Sequence, residues 1–393
     1  MSARIIRAIL VDPLLFTAPY DAALTQGLLT VGVEPLWMTR PSRWCDQDEI
    51  PRRLVEELFY RHIDAVRLPG LLAAVKAIVH AVGLVRLVRR VRQLRPDIVH
   101  FQWVVAPALD TLAIWFIRRS CPVVLTVHDT VPVRTHGKAL SALQAFGLNV
   151  AIASADRVIV HTASGKETLI RNGIAAERII DIPHGPLRLR VAAGAEPVVR
   201  EARWTFVLFG ELKPYKGLEV LIDAVAKIPA ALAVQSHVII AGRSCMDLRS
   251  IEARMVQSGL GATIELRPWR HSEEQMAELF ARTDTFLFPY RQIDASGVYC
   301  LVKSLGKWLI ASRVGIFSED LPRAAGVLIA PGDSDQLAQA MASAIVERPA
   351  GVAGGDDQSW QAIARLTQAT YLSALLPGSR SRPRKAIGTA ATR

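Results

Sequence analysis

Cysteine is scarce: there are four in 393 residues. Cys45, Cys121, Cys245 and Cys300 stand far apart and form no CxxC pair. They supply neither a zinc site nor a disulfide framework, which fits a reducing compartment. Several short enzyme signatures are also missing. Without a GxxxxGK[ST] stretch the chain is not an ordinary P-loop ATPase, and without GxGxxG at the start of either half a nicotinamide or flavin reading is weak. No HExxH or GxSxG is present. No apolar run reaches the roughly 18–20 uncharged residues that a bilayer span needs. The N-terminus, M-S-A-R-I-I-R-A-I-L-V-D-P, reads as a strand entering a loop, with no signal-peptide core or cleavage site.

What is present describes a basic globular protein. Half the residues are hydrophobic (51%), and the net charge is +11. The length predicts two domains, and the charge predicts an anionic partner: a membrane surface, a nucleotide or a nucleic acid. Apolar strand-like runs alternate with helical patterns throughout, which predicts α/β domains with parallel sheets. Strands are expected at 5–11, 33–38, 96–100, 123–128, 156–161 and 179–182 in the first half. In the second half they are expected at 205–209, 237–241, 263–266, 285–288, 308–311 and 326–329. A linker rich in Ala, Gly and Arg, 188–203, divides the chain into a first domain, 1–190, and a second, 203–375. The last stretch, 376–393, reads as a disordered basic tail.

The stretch W-T-F-V-L-F-G-E-L-K-P-Y-K-G, 204–217, is the centre of the second half. It predicts a buried strand ending at Gly210, a loop with Lys213 and Lys216, and an amphipathic helix opened by Gly217. Ligands of parallel sheets bind at the carboxyl ends of strands, and a helix N-terminus there favours phosphate. An ordinary strand-to-helix loop with solvated lysines is the bland alternative. F-P-Y-R-Q-I-D-A-S-G-V, 288–298, repeats the pattern, with Ser296 as a helix N-cap and Gly297 allowing close backbone approach. Residues 315–319 are read as ending the next strand, where Glu319 could accept ribose or sugar hydroxyls. In the first half, Asp12, His128, His161 and His184 fall at strand ends. Each alone is more often a packed or capping group. Residues 68–95 form a long helical pattern with Arg86, Arg89, Arg90, Arg92 and Arg95 toward its end; Asp64 is the one acid between 61 and 95. Such a basic apolar helix suits an anionic bilayer as well as it suits a core helix with a solvated end.

Six stretches resemble the group-1 glycosyltransferases (family 4 and its relatives): P-D-I-V-H-F-Q (96–102), V-L-T-V-H-D (124–129), I-D-I-P-H-G (180–185), F-G-E-L-K-P-Y-K-G (209–217), 288–298, and G-K-W-L-I-A-S-R-V-G-I-F-S-E (306–319). S-W-Q-A-I-A-R-L-T (359–367) is similar to the family's closing helix. The resemblance implies the GT-B fold, two Rossmann-like domains facing across a cleft. It also implies transfer of a hexose from a GDP- or UDP-sugar to a glycan or lipid-linked acceptor in cell-surface polysaccharide synthesis. On that basis Lys216 contacts the donor diphosphate and Lys213 supplies a second charge. Gly210, Arg291, Ser296, Gly297 and Glu319 complete the donor site, and His128 faces the reacting centre. Asp12, Asp129 and His128 are base candidates for an inverting enzyme, whereas a retaining one needs none. The nucleotide-sugar is a co-substrate, and neither a cofactor nor a metal is expected. The expected location is cytoplasmic, peripheral on the inner membrane face.

The chain departs from the family pattern at four places. Glu211 replaces a frequent arginine, Leu301 a second glutamate, Trp308 a frequent proline and Ile316 a frequent glycine. They motivate an alternative, a catalytically weak nucleotide-sugar-binding scaffold of a polysaccharide assembly complex. A nucleic-acid partner rests on charge alone and is not expected, because the arginines are not interleaved with exposed aromatics.

Overall fold

A computed structural model describes residues 5–43, 50–61, 69–130, 138–191, 203–321, 325–352 and 359–376, with backbone only for 69–74, 138–144 and 262. The chain forms two compact units: residues 1–183 with 359–393, and residues 184–358.

In the first unit the order is β1 (Ile6–Asp12), α1 (Ala18–Thr30), β2 (Val33–Thr39), β3 (Val55–Glu57), α2 (Pro69–Leu94), β4 (Ile98–Phe101), α3 (Pro107–Ile117), β5 (Val123–Val127), α4 (Lys138–Ser154), β6 (Arg157–Val160), α5 (Ala163–Arg171) and β7 (Ile179–Asp181). The strands make one parallel sheet in the order β3-β2-β1-β4-β5-β6-β7. Apolar residues of α2 to α5 cover one face, including Leu87, Val91, Ile114, Ile152 and Leu169. The other face is covered by Tyr20, Leu24 and Leu28 of α1 and by a helix from the far end of the chain, α13 (Trp360–Leu375). Strands buried on both faces explain their unbroken apolar runs.

The second unit continues with β8 (Trp204–Phe209), α6 (Leu218–Lys227), α7 (Ala230–Ala233), β9 (Ser236–Ala241), α8 (Arg249–Gln257), β10 (Ile264–Arg267), α9 (Glu273–Arg282), β11 (Thr285–Phe288), α10 (Gly297–Val302), β12 (Trp308–Ser312), α11 (Gly315–Asp320), β13 (Gly326–Ile329) and α12 (Ser334–Glu347). Its parallel sheet runs β10-β9-β8-β11-β12-β13. The central β8 is buried at every position. The order reverses beside it, because β9 and β10 extend to one side and β11 to β13 to the other. Open α/β sheets present their ligand crevice at such a switch point.

Three expectations need correction. Helix α13, placed by sequence position in the second domain but long enough to reach back to the first, belongs to the first unit. It lies so close to α1 that a Cβ on Gly27 would stand 2.4 Å from the Trp360 carbonyl oxygen, and the Tyr371 hydroxyl lies 2.8 Å from His100 Nδ1. The division between units falls at Pro183/His184 rather than at 188–203, because Leu187 donates its N–H to the Cys300 carbonyl (3.1 Å) and packs on the second core with Leu189. Residues 315–319 do not extend a strand. Gly315 turns the chain into α11, which buries Ile316 and Phe317. Residues 55–57 add β3, an edge strand of three residues too short to show an alternating pattern. Most of the basic tail, 377–393, lies outside the described residues.

Candidate functional site

The site candidates of the second unit collect at the carboxyl end of its sheet. Gly210 follows β8 with φ +105°, and a Cβ there would stand 2.8 Å from Lys216 Nζ. Glycine is required here to admit the lysine as well as for the backbone angle. Lys216, only 3% exposed, folds back over the loop and donates from Nζ to the Phe209 carbonyl at 2.8 Å. Its ammonium lies 5.0 Å from the Tyr290 ring centroid. Burial, with Lys213 adding repulsion, pulls the Lys216 pKa down to about 7.

Three loops are fastened together around this lysine. Gly217, in the left-handed region at φ +69°, opens α6, and a Cβ on it would lie 2.1 Å from the Pro289 carbonyl oxygen in the loop after β11. The Arg291 N–H donates to the Tyr215 carbonyl at 2.7 Å. Gly315, which follows β12, would clash at 2.1 Å with the Ile293 oxygen if it carried a Cβ, and the Ile316 N–H donates to the Asp294 carbonyl at 2.8 Å. Sequence separation of up to 100 residues thus closes into one rim of backbone.

A further cation joins from the loop after β9. Gly242 (φ +135°) packs so closely on Gly210 that a Cβ would stand 2.1 Å from its carbonyl oxygen. The next residue, Arg243, hydrogen-bonds Glu211. Glu211 also pairs with Lys213 at 2.9 Å. Burial opposes ionisation of Glu211, but the two cations prevail and hold its pKa below the usual carboxylate range. The glutamate therefore acts as a bracket that gathers Lys213 and Arg243 beside Lys216. Arg243 was absent from the candidates read from the sequence; the signal was its place after a strand-end glycine next to β8.

The remaining donor-side candidates divide. Ser296 caps α10 by accepting from the Tyr299 N–H at 3.3 Å, and Gly297 begins the helix. Arg291 is turned onto Glu219 in the first turn of α6, with Nε 2.7 Å from the carboxylate. Glu319 sits exposed within α11 rather than at a strand end.

In the first unit the candidates form a buried polar row across the ends of β4, β5 and β6. His161 Nδ1 lies 2.9 Å from the Ile182 carbonyl, and its Nε2 lies 3.1 Å from His128 Nδ1. Burial lowers the His161 pKa to about 4, so the ring is neutral. A carbonyl can only accept, so the His161 proton sits on Nδ1 and Nε2 accepts from His128 Nδ1–H. The row continues through His128 Nε2, which lies 3.4 Å from Gln102 Oε1 at the end of β4. Trp103 stacks on the His128 ring at 4.8 Å and 14°. Asp12, by contrast, is fully buried and accepts from the Leu14 and Thr17 N–H groups at 3.2 and 3.3 Å. Burial raises its pKa. It holds the β1–α1 loop, a capping role.

A second buried relay anchors the loop that carries Trp103. Asp110 Oδ2 accepts from the Val105 and Ala106 N–H groups at 2.7 Å each. Its Oδ1 lies 2.7 Å from His80 Nε2 of α2, and His80 Nδ1 lies 3.1 Å from the Tyr60 hydroxyl. Among the described residues no group of three or more His, Cys, Asp or Glu side chains is placed to hold a metal ion.

Known proteins share this fold. A profile described as Glycosyltransferase Family 4 matches residues 22–185, and one described as Glycosyl transferases group 1 matches 203–346. Among curated protein sequences, none matches. Solved structures match over nearly the whole chain. Anabaena HepE in complex with UDP-glucose is 17% identical with a TM-score of 0.67, covering 94% of this chain and 99% of its own. The catalytic domain of starch synthase IV from Arabidopsis thaliana, bound to ADP and acarbose, is 13% identical with a TM-score of 0.67, covering 94% and 99%. WaaG, a glycosyltransferase involved in lipopolysaccharide biosynthesis, is 15% identical with a TM-score of 0.64, covering 95% and 100%. At such identities the likeness establishes the fold, that of the GT-B enzymes, and the two profiles span both units. The chain belongs to the group 1 glycosyltransferases, with a family-4 N-terminal half.

Proposed function

We propose that this glycosyltransferase moves a hexose from a UDP-sugar to a glycan or lipid-linked acceptor of cell-surface polysaccharide, with GDP-sugars as the competing donor class. The observation that carries the donor side is the buried Lys216 ammonium at a rim of three joined loops, with Lys213 and Arg243 beside it. Together the three cations exceed the one carboxylate among them, Glu211, and so favour a diphosphate. They neutralise the charge that grows on the leaving nucleotide, with no metal ion required. The starts of α6 and α10 add backbone N–H groups. UDP is favoured because the structurally similar HepE binds UDP and UDP-glucose.

On the acceptor side, His128 is preferred to Asp12 as the group that meets the reacting hydroxyl. The Asp12 oxygens are committed to the loop, whereas the His128 ring stands at the end of β5 within a side-chain row, between His161 and Gln102.

The protein would work at the cytoplasmic face of an anionic membrane. The helices α2, α3 and α4 hold a single acidic residue, Asp110, which is buried. They expose Ile78, Val82, Val85, Leu112, Trp115 and Phe146, with Arg86, Arg89 and Arg92 near the end of α2. Apolar area ringed by arginine suits an acidic lipid surface. No described helix is long and apolar enough to cross a membrane. Sedimentation with phosphatidylglycerol vesicles at low salt should carry the protein down, and the triple variant Arg86→Glu/Arg89→Glu/Arg92→Glu should stay in the supernatant. Equal sedimentation with phosphatidylcholine would remove the electrostatic component.

Calorimetric titration of UDP, GDP, ADP and their glucose conjugates tests the donor reading. Selective binding that disappears in Lys213→Ala/Lys216→Ala supports it. Failure of the folded wild type to bind any of them would refute it.

A further inference from the structure

The first unit carries an aromatic surface that neither donor binding nor membrane docking uses. Phe16, in the loop after β1, leaves 56% of its surface in water. Its ring meets Trp103 edge-on, with centroids 5.2 Å apart and planes at 62°. Trp103 lies in turn on His128, the proposed acceptor-side group. The two aromatic residues come from loops after β1 and β4, neighbouring strands of the sheet, so they stand at its carboxyl edge.

This surface is braced. Asp12 fixes the backbone on both sides of Phe16 through Leu14 and Thr17, and the Trp103 indole N–H donates to Thr17 Oγ1 at 3.1 Å. Each ring is therefore held without help from a ligand. A large aromatic side chain kept exposed on a rigid loop at the ligand end of a parallel sheet is better explained by binding than by folding, since burying it would have been favourable.

The chemistry selects the occupant. Two rings at 62° make a shallow angle rather than one flat face, which suits a puckered ring better than a planar nucleobase. The groups against it, His128 and Thr17, hydrogen-bond, and the cation that reaches this loop, the buried Arg40, is turned onto the Leu14 and Pro41 carbonyls. A hexopyranose has the matching character: one face of C–H groups for the aromatic rings and hydroxyls at its edge for the polar rim. We propose that Phe16 and Trp103 form the acceptor-sugar subsite, seating a terminal hexopyranose beside His128. This rests on the reading of the first unit as the acceptor side.

Saturation-transfer NMR on the full chain tests it, with the methyl α- and β-pyranosides of glucose, galactose, mannose and N-acetylglucosamine as probes. At least one probe should receive saturation, concentrated on the C–H groups of one ring face. Phe16→Ala and Trp103→Ala should each reduce that signal at least fivefold, and Phe16→Tyr should restore it. UDP titration should be the same in all these proteins, because the donor residues lie in the second unit. If no probe is saturated by wild type, or if Phe16→Ala leaves the signal intact, the subsite is wrong. If UDP fails to bind while pyranosides do, the donor reading falls and the subsite survives.

Discussion

Lys216 makes the donor site sensitive to pH near neutrality, and the sign can be worked from its surroundings. In the free protein, burial and Lys213 hold its pKa at about 7. A diphosphate placed against Nζ favours the charged form and raises that pKa. Binding at pH 7–8 must then take up a proton, and affinity must fall as pH rises. If the bound pKa exceeds about 9, the affinity for UDP-glucose drops roughly 25-fold from pH 6.5 to 8.5, or ~1.9 kcal/mol. The diester diphosphate of UDP-glucose does not titrate over this range, so the change belongs to the protein. Isothermal titration in buffers of different ionisation enthalpy measures the proton uptake directly. Lys216→Arg should flatten the profile, because its charge does not titrate. PH-independent affinity without proton uptake in wild type would refute a direct meeting of Lys216 with the diphosphate. The contribution to stability has the opposite cause. The fold favours the neutral amine, so this contribution is full above the ordinary lysine pKa of about 10.4 and is lost as pH falls toward 7.

Other consequences are equally concrete. Glu211→Gln should raise UDP-glucose affinity several-fold at low salt, because Lys213 and Arg243 lose their internal counter-charge; the gain should shrink at high salt in the same titration. Arg243→Ala should weaken binding by about threefold to tenfold, the net worth of one hydrogen bond from a largely exposed side chain, without moving the melting temperature much. Gly210→Ala should lower stability by about 1–3 kcal/mol in urea unfolding and weaken donor binding as well, since its Cβ would stand 2.8 Å from Lys216 Nζ at a positive φ. His80→Leu leaves one Asp110 oxygen buried without its ring partner and should destabilise the protein by about 3–5 kcal/mol.

The architecture was legible because strands buried on both faces announce themselves as apolar runs. β11 and β13 fall where the sequence places them, at 285–288 and 326–329. Gly210, Lys216, Gly217 and Ser296 were also readable, since loop-and-helix-start chemistry is local. Partnership was not. Glu211 reads as a missing positive charge until Arg243, 32 residues on, is seen to reach it. Arg291 reads as a phosphate ligand until Glu219 is seen beside it. Asp12 looks like a base because a strand-end carboxylate is common to bases and to loop caps, and only the Leu14 and Thr17 contacts tell them apart. Glu319 was misplaced because a helix of six residues has too few turns to show a period. In each case the deciding contact depends on side-chain direction, which spacing does not encode.

The return of α13 to the first unit sets an order of assembly. Residues 184–358 form a unit from one continuous stretch, whereas the first unit needs residues 359–376 to cover Ile98, Val124 and Ile159 on one face of its sheet. During synthesis, which runs from the N-terminus, the second unit can close while the first still has an uncovered apolar face. The part that emerges first is therefore the last to be completed. A chain ending at residue 358 would hold a complete second unit joined to an incomplete first one, with an apolar sheet face open to aggregation and to chaperones.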